Sequence, residues 1–139
     1  MKREDEPVEP GEAVLRLIWC DFLKPGLDMP VQPGAFEPRR NETDGISVFR
    51  AACLADPSLT LEVIAEEKRG KYAIASLLVS ELSMLGLTVV PARIEKVPGH
   101  AVLVELNIVN CKSDKARCRT LQKQLAEIAS RSIVRLPAS

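Results

Sequence analysis

The apolar positions of the chain fall into short clusters. Ala13-Val14-Leu15-Arg16-Leu17-Ile18-Trp19 is an apolar run broken by one charge. It reads as a strand with Arg16 at a mouth or an edge, or as a helix reaching Phe22. From 24 to 45 the pattern fails. Pro25, Gly26, Pro30, Pro33, Gly34, Pro38 and Gly45 interrupt the backbone too often for a helix or a central strand. Loops of this length are unusual in a compact domain and are commonly functional. Phe36 is its expected anchor on the core, with Arg39, Arg40, Glu42 and Asp44 in solvent. Asp44-Gly45 is a turn signal, and Ile46-Ser47-Val48-Phe49-Arg50 follows as a strand. Its pleat sets Ile46, Val48 and Arg50 on one face and Ser47 and Phe49 on the other.

After the turn at Asp56-Pro57-Ser58, a short helix capped by Ser58 or Thr60 runs through Glu67 and ends at Gly70. Tyr72 to Leu78 reads as a buried strand. Ser80 then caps a short helix stopped by Gly86, and Leu87 to Val90 forms a strand closed by Pro91. His100 stands at the mouth of the strand Ala101 to Leu106, behind the Pro98-Gly99 turn. Ser113 or Asp114 caps the last helix, in which Cys118, Leu121, Leu125 and Ile128 form an apolar stripe. Lys115, Arg119, Gln122 and Lys123 take its other face, and Ile133 to Leu136 adds a terminal strand. Strands and helices mix without strict alternation. The pattern predicts an α+β fold, a small mixed sheet with a few packed helices.

A length of 139 residues suits one domain. Residues 12–139 form the expected globular unit and residues 1–11 a flexible acidic arm, with no apolar core of a signal peptide. No apolar stretch approaches the about 20 residues of a membrane span, so no membrane partner is expected. Lys+Arg and Asp+Glu number 19 each, which excludes binding nucleic acid through global charge. The charge is nonetheless uneven. Residues 1–12 hold five acids and two bases, and residues 111–139 hold seven bases and two acids. The arm can fold back on the basic tail, or each can meet its own partner. Cys20, Cys53, Cys111 and Cys118 include no Cys-x-x-Cys pair, and His100 is the single histidine. The cysteines therefore read as small buried hydrophobes in a cytoplasmic, reducing setting, with no metal and no cofactor expected.

The common catalytic motifs are missing: no phosphate loop, nucleophile elbow, His-Glu-x-x-His or Gly-x-Gly-x-x-Gly. The candidates are looser. His100 at a strand end can act as acid or base, with a structural histidine as the plainer reading. Asp44, Ser47 and Arg50 together could hold an anion or a nucleotide, or serve as a turn, a strand and an interface residue. Arg16 needs a carboxylate or a ligand anion if it is buried; the alternative is that it simply points outward. Lys112, Lys115, Arg117, Arg119, Lys123 and Arg131 on the last helix could neutralise phosphates, but no aromatic side chain accompanies them for base stacking, and a solvated helix or an acidic protein partner is the more economical reading.

Three blocks in order, Asp44-Gly45-Ile46-Ser47-Val48-Phe49-Arg50, Leu85-Gly86-Leu87-Thr88-Val89-Val90-Pro91 and Pro98-Gly99-His100-Ala101-Val102, resemble a family of small uncharacterised bacterial proteins. An early Leu15-x-Leu17 segment and Ala35-Phe36 extend the resemblance over about residues 13–130. It implies no established activity, but it favours Phe36, Ser47, Arg50 and His100 as site residues. A looser similarity to ADP-ribosyl-transfer folds would cast Arg16 and Ser47 at a nicotinamide pocket. No catalytic Glu stands in register for it, and the aromatic content is low.

Three readings follow. The first is a non-catalytic cytoplasmic module that binds a partner protein, as an accessory or neutralising component of a bacterial toxin or defence locus. The second is a small enzyme acting on a nucleotide or nucleic acid. There His100 and Ser47 would be the catalytic candidates, and Arg16, Arg50 and Asp44 the ligand-binding ones. The third is nucleic-acid binding through the basic C-terminal helix. The oligomeric state stays open.

Overall fold

The structure, a computed structural model of the chain, describes residues 1–57, 71–95 and 97–137. The helix expected between Ser58 and Gly70 lies outside the described residues. Six strands form one sheet: β1 (Ala13–Trp19), β2 (Ile46–Arg50), β3 (Tyr72–Leu78), β4 (Val89–Pro91), β5 (His100–Leu103) and β6 (Ile133–Arg135). Their order is β4-β5-β2-β1-β3-β6, and every pairing is antiparallel. The α+β architecture is the one expected. The sheet is antiparallel rather than mixed: only β1–β2 and β4–β5 are consecutive neighbours, and the longer connections β2–β3, β3–β4 and β5–β6 pass to more distant positions yet bring each strand in antiparallel to its neighbours. Residues 13–19 are a central strand and not a helix, since β2 and β3 pair with them on either side.

Three helices accompany the sheet among the described residues: α1 (Val79–Met84), α2 (Ile108–Ser113) and α3 (Lys115–Ser130). The stripe Cys118, Leu121, Leu125 and Ile128 is buried against the sheet face that carries Val14, Ile18, Ile46, Val48, Ala73, Ala75 and Leu77. Phe36 is fully buried in the same core and ties the Pro-rich loop to it. The opposite sheet face has a smaller core of Leu15, Phe49 and Ile74 with Leu54 and Val97. No described helix is long and apolar enough to cross a membrane.

Helix starts depart from the expectation in an instructive way. Asp114 caps α3, its carboxylate accepting from the Arg117 N–H at 3.1 Å. Ser80, by contrast, caps nothing and lies inside α1. The unpaired N–H groups at the start of α1 go instead to the arm: Val79 donates to Glu12 O at 2.9 Å and Ser80 to Pro10 O at 3.0 Å. The arm is therefore docked rather than loose. Its other end is held as well, with Lys2 N–H donating to Ala52 O at 2.7 Å and Gly99 N–H to Glu4 Oε1 at 2.7 Å. Gly99 has φ +84, and a Cβ there would stand 2.8 Å from Cys53 Cβ. Only glycine permits this corner between the arm, β2 and β5.

Candidate functional site

The two arginines proposed as ligand-binding groups are both buried on the helix-covered face of the sheet. Arg16 lies in the middle of β1, 6% exposed, beside the small Ala75 of β3. It does not sit at an edge or point outward. Its Nη1 donates to Glu42 Oε2 at 2.9 Å and to Ser47 O at 2.8 Å, while Nε and Nη2 both reach Ala35 O. Glu42 is thus buried rather than solvated. It is further held by the N–H groups of Ser47 and Arg39. Burial raises its pKa, but the Arg16 charge and these hydrogen bonds outweigh that and leave it lowered.

Arg50 repeats the arrangement at the end of β2, where it is fully buried. Nε and Nη2 donate to the two oxygens of Glu12 at 3.0 and 3.1 Å, Nη2 also reaches Pro7 O, and Nη1 reaches Glu4 O. Lys2 Nζ adds a second cation to Glu12 at 2.8 Å. Burial alone would raise the Glu12 pKa, yet the bonds from Arg50 and Lys2 lower it to about 2. The same pairing raises the pKa of Arg50. Both guanidiniums are occupied by the chain's own acceptors, so an anionic ligand there would have to displace a buried carboxylate. Asp44 is exposed in the turn before β2, at the far end of that strand from Arg50, and Ser47 faces away from Arg50. The Asp44, Ser47 and Arg50 group is not assembled.

Ser47 and His100 do come together. They project from β2 and β5 on one face, as diagonal neighbours in the register that pairs Phe49 with His100. His100 Nε2 is 3.1 Å from Ser47 Oγ, and its Nδ1 is bonded to Ala92 O. A carbonyl only accepts, so in the neutral ring Nδ1 carries the proton and Nε2 accepts from the serine hydroxyl. The Phe49 ring stands edge-on to the imidazole at 5.3 Å. This is the geometry of a base oriented on a hydroxyl. The Ser47 N–H is not available to a developing oxyanion, being taken by Glu42 at 2.6 Å, and β2 pairs with β5 from Ile46 to Phe49 and with β1 at Phe49 and Arg50. His100 and Arg50 border one cavity of about 230 Å³, but the Arg50 guanidinium is already engaged there by Glu12.

A larger feature lies on the other side of the molecule. Arg40 from the Pro-rich loop and Lys112, Lys115 and Arg119 from the α2–α3 corner line an open groove of about 600 Å³, with Glu37 as its one acidic side chain. None of the four cations makes an ion pair or a side-chain hydrogen bond among the described residues. Cys111 and Cys118 sit in the same groove and are joined in a disulfide, with their Cα atoms 5.4 Å apart. They are therefore not two separate buried thiols, as the sequence suggested. Helix α2, which the apolar pattern does not announce, turns at Asp114 into α3 and brings the two sulfurs together. No three His, Cys, Asp or Glu side chains come together to hold a metal ion among the described residues.

No family model, curated protein or solved structure matches the chain. The resemblance in the three blocks gains no activity from these comparisons.

Proposed function

We propose that the protein is a partner-binding module and that the groove at the α2–α3 corner takes an acidic segment of another protein. One observation carries this reading: Arg40, Lys112, Lys115 and Arg119 converge on one open groove and make no ion pair among the described residues, with Glu37 the single acidic side chain beside them. Two further points support it. The chain's own acidic arm, the obvious internal partner, is docked on Arg50 and Gly99 instead. No aromatic side chain is among the described residues lining the groove, which disfavours single-stranded nucleic acid held by base stacking. The cytoplasmic setting expected from the sequence stays part of this proposal; Cys20 and Cys53 are free thiols, whereas the Cys111–Cys118 disulfide does not itself favour a reducing compartment.

The test is fluorescence anisotropy with a labelled hexaglutamate peptide. Wild type binds it, added salt weakens the binding, and Lys115→Glu with Arg119→Glu reduces affinity by about tenfold or more. Equal affinity in wild type and the double variant would reject the groove as the docking surface.

The Ser47 Oγ to His100 Nε2 contact of 3.1 Å favours a second reading, a hydroxyl nucleophile activated by histidine. A fluorophosphonate probe would then label wild type and not His100→Ala. An unlabelled wild type removes this reading.

A further inference from the structure

We propose that Cys111 and Cys118 form a reversible thiol–disulfide site that controls the basic groove, with only the disulfide form holding α2 in the position that completes it. The control rests on the groove being the docking surface, as argued above. The argument begins with α2 itself. It is six residues long and has no buried side chain, and Val109 is 70% exposed. A helix this short is not stable on its own. Its first turn is held by local bonds: the Asn107 side chain accepts from Asn110 N–H at 2.8 Å and donates to Val104 O at 2.9 Å. At its other end stand the Asp114 N–H bond to Asn110 O and the covalent link from Cys111 to Cys118. Cleaving that link releases the end of α2 that carries Lys112 into the groove, and leaves few packing contacts to keep it there.

The surroundings favour exchange. Lys112 follows Cys111 in the chain, Arg119 follows Cys118, and Lys115 lies on the same groove wall. Cys118 closes the first turn of the sixteen-residue α3, where the helix dipole is positive. Cations and a helix N-terminus both favour the thiolate, the reactive form in exchange. They also attract an anionic tripeptide such as glutathione. Cys111 is the more exposed sulfur, Cys118 being 6% exposed and touched by Gln122.

The chemistry balances with glutathione as the co-reactant. A glutathione thiolate attacks Cys111 Sγ, the Cys111–Cys118 bond breaks, and the electron pair leaves on Cys118 Sγ as a thiolate. A second glutathione thiolate attacks the mixed disulfide, which releases the Cys111 thiolate and glutathione disulfide. Two electrons pass from two glutathione thiols to the protein, and the reverse sequence re-forms the protein disulfide.

The test uses the full chain in buffers of graded glutathione to glutathione-disulfide ratio. Thiol content is read by alkylation and mass, and labelled hexaglutamate binding by anisotropy. The Cys111–Cys118 pair should interconvert reversibly across the series. The oxidised form should bind the peptide about tenfold more tightly than the reduced form, the gain from ordering one or two side chains before binding rather than during it. Cys111→Ser and Cys118→Ser, checked for folding by circular dichroism, should bind like reduced wild type in every buffer. A pair that stays oxidised or stays reduced throughout overturns the proposal. So does equal affinity in the two forms with the disulfide verified, and this result leaves the docking groove standing. Absence of binding in both forms, with the pair still titrating, overturns the groove and the control together.

Discussion

Arg50 and Arg40 carry the same guanidinium and meet opposite environments. Arg50 is fully buried, and Glu12 and two carbonyls occupy its donors. Arg40 is exposed on a groove with three other cations and has no partner among the described residues. The first arrangement is self-contained, because a buried charge is tolerated only when it is paired and hydrogen-bonded. The second keeps its charges hydrated and open to something that is not part of this fold. The comparison teaches that an arginine in an apolar strand, at first sight a site residue, can be wholly committed to structure. The cations that stay unpaired among the described residues are instead exposed ones on a loop and a helix corner.

The largest effect expected from this difference follows removal of one partner in a buried pair. Glu12→Gln leaves Arg50 charged and uncompensated, and should cost about 3–5 kcal/mol in urea unfolding. A cost below about 1 kcal/mol would mean that the clamp is not the structural element described here. Acid should weaken the same region. The Glu12 pKa is lowered to about 2 and that of Glu42 is lowered too, so each stabilises the fold above its unfolded-state value near 4.5. That contribution is lost as pH falls from about 4.5 towards 2, and for Glu12 it is on the order of 3 kcal/mol. Unfolding midpoints that stay flat from pH 5 to about pH 2 would contradict the pairing.

Smaller effects sharpen the comparison. Gly99→Ala places a Cβ at φ +84, 2.8 Å from Cys53 Cβ, and should cost about 1–3 kcal/mol by thermal unfolding. An unchanged midpoint would show that the corner holding the arm is looser than the structure has it. At the other extreme, Lys115→Ala in the groove should alter stability by no more than about 0.5 kcal/mol. A larger loss would mean that Lys115 has a structural partner after all.

Much of the fold is legible in the sequence. The apolar runs of β2 and β3 mark them as strands, that of β1 left strand and helix both open, and the spacing of Cys118, Leu121, Leu125 and Ile128 marks the buried side of α3. Ser47 and His100 were each legible as candidates, but their meeting depends on β5 lying beside β2, which the order of strands along the chain does not announce. Other features depend on contacts that local pattern does not encode. A buried Arg16 demands a carboxylate, but nothing near it in sequence indicates that the partner is Glu42, across the Pro-rich loop. Glu12 is equally unmarked as the partner of Arg50. Helix α2 has no apolar stripe because it buries no side chain, so its disulfide to α3 was hidden with it. The groove needs Arg40 and Arg119 side by side, which only the packing of the turn Pro33–Phe36 against α3 provides.

The most direct test of the contrast is to measure hexaglutamate affinity and urea unfolding for both Arg40→Ala and Arg50→Met. Arg40→Ala should weaken peptide binding by about threefold or more with an unchanged unfolding midpoint. Arg50→Met should lower the midpoint and, where folded, bind the peptide as wild type does. A folded Arg50→Met that has lost the peptide, or an Arg40→Ala that binds normally and unfolds early, would contradict the account.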